Sequence, residues 1–368
     1  MSTGSVRADA PSTPAAVDEA TVPAPTGTWR LQLGQFSFLV SRKIATVSLV
    51  ATAGCLILVV AAMGLGSTDH GYREVIEVLR GGGSRSVRLI VLEWRMPRIL
   101  LGVTLGAALG VAGSIFQAVT RNPLGSPDLI GFTMGAQTGI LVVVVLFGGG
   151  FVSVSLASLV GGLCVGSLIF VLSFRGGFGG LRLILAGIAI SSLLGSFNRW
   201  LIVRADPDTA YGALKAVTGT LASADWKVGG PCSVAIVVVI LVTLTRSRDL
   251  RALELGPDLA RSLGAKPDRD RAVLVLLGTA LVAFATMAAG PIGFVALLAP
   301  HIARILVRSS AAPLYLSGVV GAVMLLGADL VSQTMLESLP VGVVTSSVGG
   351  LYFMGLLVNE ARTKRKWA

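Results

Sequence analysis

The sequence predicts an all-α polytopic membrane protein with about ten transmembrane helices. Three observations predict it. Hydrophobic residues make up 53% of the 368-residue chain and charged residues only 13%, roughly half the charged share of a soluble domain. Several apolar runs approach ~20 residues, the length that crosses ~30 Å of hydrocarbon. The runs are continuous rather than alternating, which argues against a transmembrane β-barrel.

Residues 1–40 are rich in Pro, Ala, Ser and Thr and lack helical periodicity, so they read as a disordered cytoplasmic tail. Residues 41–368 read as one transmembrane domain. Arg42 and Lys43 precede the first span, residues 44–65, and favour a cytoplasmic N-terminus. A short amphipathic helix is expected at 72–79, closed by Gly81, Gly82 and Gly83. The outer segment 67–98 holds six arginines, against the rule that basic residues stay inside.

The second span, 99–118, carries Gly102, Gly106 and Gly110 at four-residue spacing; the third, 129–147, repeats the device with Gly131, Gly135 and Gly139. Each set lies on one helix face and lets another backbone approach. Further spans follow at 151–172, 183–203 and 228–245. After the charged stretch 246–271 come 272–289, a short run at 292–299 stopped by Pro300-His301, then 314–330 and 341–358. The short run must have its irregular backbone buried in protein. The basic tail 362–366 and the net charge of +11 fit cytoplasmic ends of a membrane protein better than nucleic-acid binding.

The stretch 246–271, RSRDLRALELGPDLARSLGAKPDRDR, is the only long charge cluster between strongly apolar regions. Pro257 and Gly264 bracket one short helix within it. Leu259 and Leu263 share a face by i,i+4 spacing, and Arg261 lies off it. From pattern alone this elbow is either a helix offered to a partner's groove or a solvated loop hugging the membrane.

Catalytic chemistry is missing. There is no G-x-x-x-x-G-K-[ST], H-E-x-x-H or G-x-S-x-G. Cys55, Cys164 and Cys232 show no metal or disulfide spacing, and two histidines do not suggest a metal site. Ionisable residues are nearly absent from the spans, with Asp329 at a span end. Carriers coupled to protons or sodium keep charged groups near the midplane, so a neutral, fairly greasy pathway powered from outside the chain is favoured. The rival readings are a secondary transporter of a hydrophobic small molecule and an intramembrane enzyme.

Several phrases carry a resemblance. They are RMPRIL from Arg95, GSIFQAVTRNPLGSPDLIG at 113–131, LILAGIAIS at 183–191, ARSLG at 260–264, GPIGFVALLAPHIAR at 290–304 and LPVGVVT at 339–345. Together, and in this order, they resemble the iron-chelate and vitamin B12 uptake permeases, the FecCD-type family of ABC importers. The final GGLY at 349–352 and residues 357–362 resemble its ferric-enterobactin branch.

The resemblance implies a BtuC-like type II ABC importer permease fold and import of ferric siderophore, with vitamin B12 or heme as alternative cargoes. It implies a second permease of the same family, in a heterodimer, and two ATPase subunits that bind the ATP and Mg. It also implies an extracytoplasmic binding protein, with no cofactor in this chain itself. Asp258, Leu259, Ala260, Arg261, Ser262, Leu263 and Gly264 would form the helix that couples to the ATPase. Arg95 and Arg98 would face the binding protein's acidic residues. This chain departs from the family in having Gln333 where many members carry Arg, and Ser338 where they carry Glu.

Overall fold

In a computed structural model of the chain, the described residues are 28–33, 36–65, 71–174, 180–262, 264–309, 313–336 and 339–365. Residues 1–27, Leu263 and Ser338 lie outside them. The chain divides into two compact units, Met1–Thr46 and Val47–Ala368.

The first unit contains structure that composition does not suggest. Within the tail read as structureless, β1 (Thr28–Leu33) and β2 (Phe36–Ser41) pair antiparallel from Thr28↔Ser41 to Leu33↔Phe36. Period-two patterning explains the pairing. The apolar pairs Trp29↔Val40, Leu31↔Phe38 and Leu33↔Phe36 alternate along the register with Thr28↔Ser41, Arg30↔Leu39 and Gln32↔Ser37. The composition of residues 1–40 as a whole masks this alternation.

The second unit is helical. Its elements begin with α1 (Arg42–Gly64), which starts in the first unit, α2 (Tyr72–Leu79) and α3 (Arg85–Arg88). A π-helical turn, Leu89–Arg95, leads without a break into α4 (Met96–Thr120). There follow α5 (Pro127–Ile130), α6 (Phe132–Phe147), α7 (Phe151–Phe174), α8 (Gly180–Arg204), α9 (Pro207–Ala216) and α10 (Trp226–Thr245). The elbow is α11 (Ser247–Glu254) and α12 (Pro257–Ser262). The chain then runs through α13 (Pro267–Ala289), α14 (Val295–Val307), α15 (Leu314–Met335) and α16 (Val341–Arg365).

Among the described residues, seven helices are long and apolar enough to cross a membrane, and three shorter apolar helices join them. Together these make the ten that hydropathy predicts.

The central helix is α4. Nearly every residue from Leu101 to Val119 is buried, against α15, α13, α14 and α10. Lipid tails are as apolar as leucine, so burial from water does not drive this association. Close van der Waals packing does, and α4 supplies it with small residues on several sides.

Two boundaries differ from expectation. Pro300 does not stop its helix. α14 runs through it to Val307, with Pro300 inside the helix and omitting the one backbone N–H bond it would have given to Ala296. α15 extends to Met335, so Asp329 lies within the helix rather than at its end, and residues 331–335, beyond the span expected at 314–330, are helix.

Candidate functional site

The glycine sets occupy backbone-to-backbone contacts. A methyl group built on Gly106 would strike the carbonyl of Gly321, and one on Gly110 the carbonyl of Ser317, both on α15. At Gly102 the nearest atom is the Leu326 Cδ1 at 3.2 Å. On α6, Gly135 faces Val165 and the Gly161 carbonyl, and Gly139 faces the Ala157 carbonyl, all on α7. Gly131 is different: its φ of +96° breaks α5 from α6, and it abuts Ser191 of α8.

The arginines at the start of α4 are held inside the chain. Arg95 is 8% exposed and donates Nη1–H to the Met63 carbonyl at 2.7 Å. Arg98 forks onto Asp329 of α15, Nε to Oδ2 at 2.9 Å and Nη2 to Oδ1 at 2.8 Å. Gln333 donates to the same Oδ2 at 2.8 Å. Arg95 and Arg98, expected to face a binding protein's acidic residues, thus each have a partner within the chain. What they line is a cavity of about 500 Å³ with Glu93, Trp94, Asp225 and Gln333. The sequence singles out both Asp329 and Gln333, but not their joining Arg98 in one hydrogen-bonded group. The signal available was one acid in an apolar helix.

The elbow is framed by backbone devices. Gly256, with φ +101°, separates α11 from α12. Gly264, with φ +79°, ends α12: its N–H meets the Arg261 carbonyl, and the Ala265 N–H meets the Ala260 carbonyl, both at 3.0 Å. That pair of bonds is a Schellman cap and fits glycine at this place. Asp270 then accepts from the Lys266 N–H at 3.0 Å, tying the next helix start to the elbow.

Within α12, Ala260 is fully buried while Leu259 is 58% exposed. Asp258 pairs with Arg261 at 3.0 Å on the outside, and Ser262 turns its hydroxyl back to the Leu259 carbonyl at 2.9 Å. So Leu259 stands as an exposed apolar residue on a fixed one-and-a-half-turn helix. Leu263, expected beside it, falls outside the described residues.

Irregular backbone is gathered at one place. The link between α13 and α14 contains Gly290 with φ +73° and Phe294 with φ +66°. It meets two other interruptions: Thr220 N–H bonds to the Ala289 carbonyl at 2.7 Å, and Gly342 N–H to the Gly219 carbonyl at 2.9 Å. Backbone polar groups freed by the breaks thus satisfy one another.

Beside this junction is a cavity of about 570 Å³ lined by Asp128, Thr133, Gln137, Thr218, Ser346 and others. Thr133 donates to Asp128 Oδ1 at 2.7 Å. The lining is hydroxyl- and amide-rich, less greasy than the sequence suggested. Among the described residues, no three His, Cys, Asp or Glu side chains come together as a metal site.

The family described as the FecCD transport family matches residues 54–359. The ferric enterobactin transport system permease protein FepG of Escherichia coli K12 is 39% identical over 327 residues, covering 88% of this chain and 99% of FepG. The iron(3+)-hydroxamate import system permease protein FhuG of Bacillus subtilis 168 is 31% identical over 326 residues, covering 84% and 96%. A solved metal-chelate type ABC transporter in an inward-facing conformation superposes with a TM-score of 0.77 at 26% identity, covering 86% of this chain and 99% of that one.

Proposed function

The chain belongs to the FecCD transport family, and from that premise we propose that it is the permease subunit of an ATP-driven importer carrying a catecholate-type ferric siderophore across the cytoplasmic membrane. One observation carries the reading: 39% identity to a ferric enterobactin permease, maintained over 99% of that protein's length. The subunit pairs with a second permease of the family and with two ATPase subunits, which bind ATP and Mg. A binding protein delivers the chelate from outside. Both termini lie in the cytoplasm.

In this mechanism the chain's own residues transmit motion and shape a path; they do no bond chemistry. ATP binding draws the ATPase pair together. Leu259, seated in an ATPase groove, moves with it, and the stiff caps at Gly256 and Gly264 pass the displacement to α11 and α13. The cavity at Thr133, Gln137 and Ser346 gives a chelate hydroxyl and amide partners beside the Asp128 carboxyl. The binding protein's acidic groups approach the outer cavity near Arg95 and Arg98, where they compete with Asp329 for the Arg98 guanidinium.

The test is reconstitution of the chain with its partner permease and ATPase in liposomes, with ferric catecholate outside. Uptake that requires ATP and the binding protein is expected. Uptake that continues without ATP and follows an imposed proton gradient would make the chain a secondary transporter.

A further inference from the structure

A cavity of about 600 Å³ opens where α4 ends, against the elbow and α14. Its lining includes Gln117, Arg121, Arg251, Glu254, Leu255 and Arg304. Three guanidiniums therefore face one carboxylate. Among the described residues none of the three arginines forms an ion pair. Arg251 spends its Nε–H on the Ser247 carbonyl at 3.3 Å.

One donor at this place, Arg304 Nη2, is sealed from solvent and lacks a hydrogen-bond partner; Gln117 Oε1 is also unpartnered, but as an acceptor it calls for a donor rather than an anion. Gln117 is 3% exposed, and its amide N–H₂ is taken by the Leu297 carbonyl at 3.0 Å. A solvated cationic face leaves its donors in water. A buried guanidinium nitrogen with nothing to bond is costly and points to a missing acceptor.

The backbone gives a second, independent observation. Arg121 closes α4 at the position where glycine is usual, with φ +50°. Its N–H meets the Ala118 carbonyl at 3.2 Å and the Asn122 N–H meets the Gln117 carbonyl at 3.1 Å. A left-handed arginine here is strained relative to glycine. A strained residue retained on a cavity wall is a sign that its side chain is used there.

We propose that this cavity binds a phosphate group, carried either by an anionic phospholipid headgroup or by a soluble phosphate. Planar guanidiniums match phosphate oxygens in pairs, and three of them from separate elements can surround one tetrahedral anion. The volume suits a headgroup-sized ligand, and Leu255 and Ala118 provide an apolar wall for its glycerol carbons. The site bridges α4, the elbow and α14, so an occupant ties the elbow to the central helix.

The test uses the full chain, purified in detergent and stripped of lipid. Inorganic phosphate and phosphatidylglycerol are titrated separately, with binding read by native mass spectrometry and by thermal shift. Saturable binding of either probe is expected, weakened at least tenfold by Arg251→Gln with Arg304→Gln. Phosphatidylglycerol binding alone assigns a lipid occupant, phosphate binding alone a soluble one, and binding of both assigns the phosphate group itself.

Two variants separate binding from folding. Arg121→Gly removes the strain, so thermal stability is maintained or raised while affinity falls. Glu254→Gln removes the competing carboxylate, so affinity rises severalfold. Equal binding by wild type and the arginine variants overturns the proposal, as does weaker binding by Glu254→Gln. Failure of both probes, with loss of ATPase assembly in the double variant, also overturns it and makes the occupant an acidic segment of a partner protein.

Discussion

Arg98 grips the carboxylate of Asp329 through two parallel hydrogen bonds, at 2.9 and 2.8 Å, across 231 residues of sequence. The Asp329 side chain is 2% exposed and the Arg98 side chain 20%. The pair joins the first turn of α4 to α15, the same two helices whose glycines touch further along. Removing one member strands a buried charge, so Asp329→Ala is expected to destabilise the fold by about 3–5 kcal/mol. Arg98→Met with Asp329→Leu should recover most of that loss. Thermal unfolding of the four proteins in one detergent forms the cycle, and additive losses would show the pair to be uncoupled.

The glycines of α4 differ in what surrounds them. Gly106→Ala drives a methyl into the Gly321 carbonyl, which backbone movement alone can relieve. A loss of about 1–3 kcal/mol is expected. Gly102→Ala meets only the Leu326 methyl at 3.2 Å, a side chain able to shift, and should be close to neutral. The two midpoints of thermal unfolding, measured side by side, check the order; equal losses would refute the glycine-face argument.

At the elbow, Leu259→Asp and Arg261→Glu change only an exposed surface. Both are expected to leave folding and assembly intact while uptake falls severalfold at undiminished ATP hydrolysis. The ratio of chelate imported to ATP consumed is the measurement. A normal ratio in both would remove α12 from coupling.

Burial raises the carboxyl of Glu254 above its ordinary 4.5, while Arg304 and then Arg251 pull the other way. A raised carboxyl favours the protonated form in the fold. The stability it contributes is present at low pH and is lost as pH rises through the folded value. Anion binding takes the same sign, because protonation removes the negative charge facing Arg121, Arg251 and Arg304. Phosphatidylglycerol retention should therefore increase as pH falls from neutral toward the ordinary glutamate value. Its phosphodiester does not titrate in that window. Glu254→Gln should flatten the profile, and an unchanged slope in that variant would assign the effect elsewhere.

The spans were legible because each is written locally, as an apolar run of sufficient length. Glycine spacing on α4 and α6 was legible for the same reason: four-residue intervals fall on one face. The partners of those faces were not. Nothing near Gly106 says that Gly321 lies opposite, and nothing near Arg98 says that Asp329 answers it. The start of α14 shows a second limit. Proline at 300 reads as a stop, and the residue letter does not say that the surrounding turns continue despite the one bond it omits. The hairpin at Thr28–Ser41 was hidden by composition taken over too long a window.

Three interruptions, at 219–220, 289–290 and 342, share backbone hydrogen bonds with one another. The bonds of this joint belong to the main chain, and its fit is close: a methyl built on Gly219 would strike the Pro291 carbonyl. The joint ties the segment before α10, the end of α13 and the start of α16 at one place, so a tilt of any one of them is carried to the other two through the main chain.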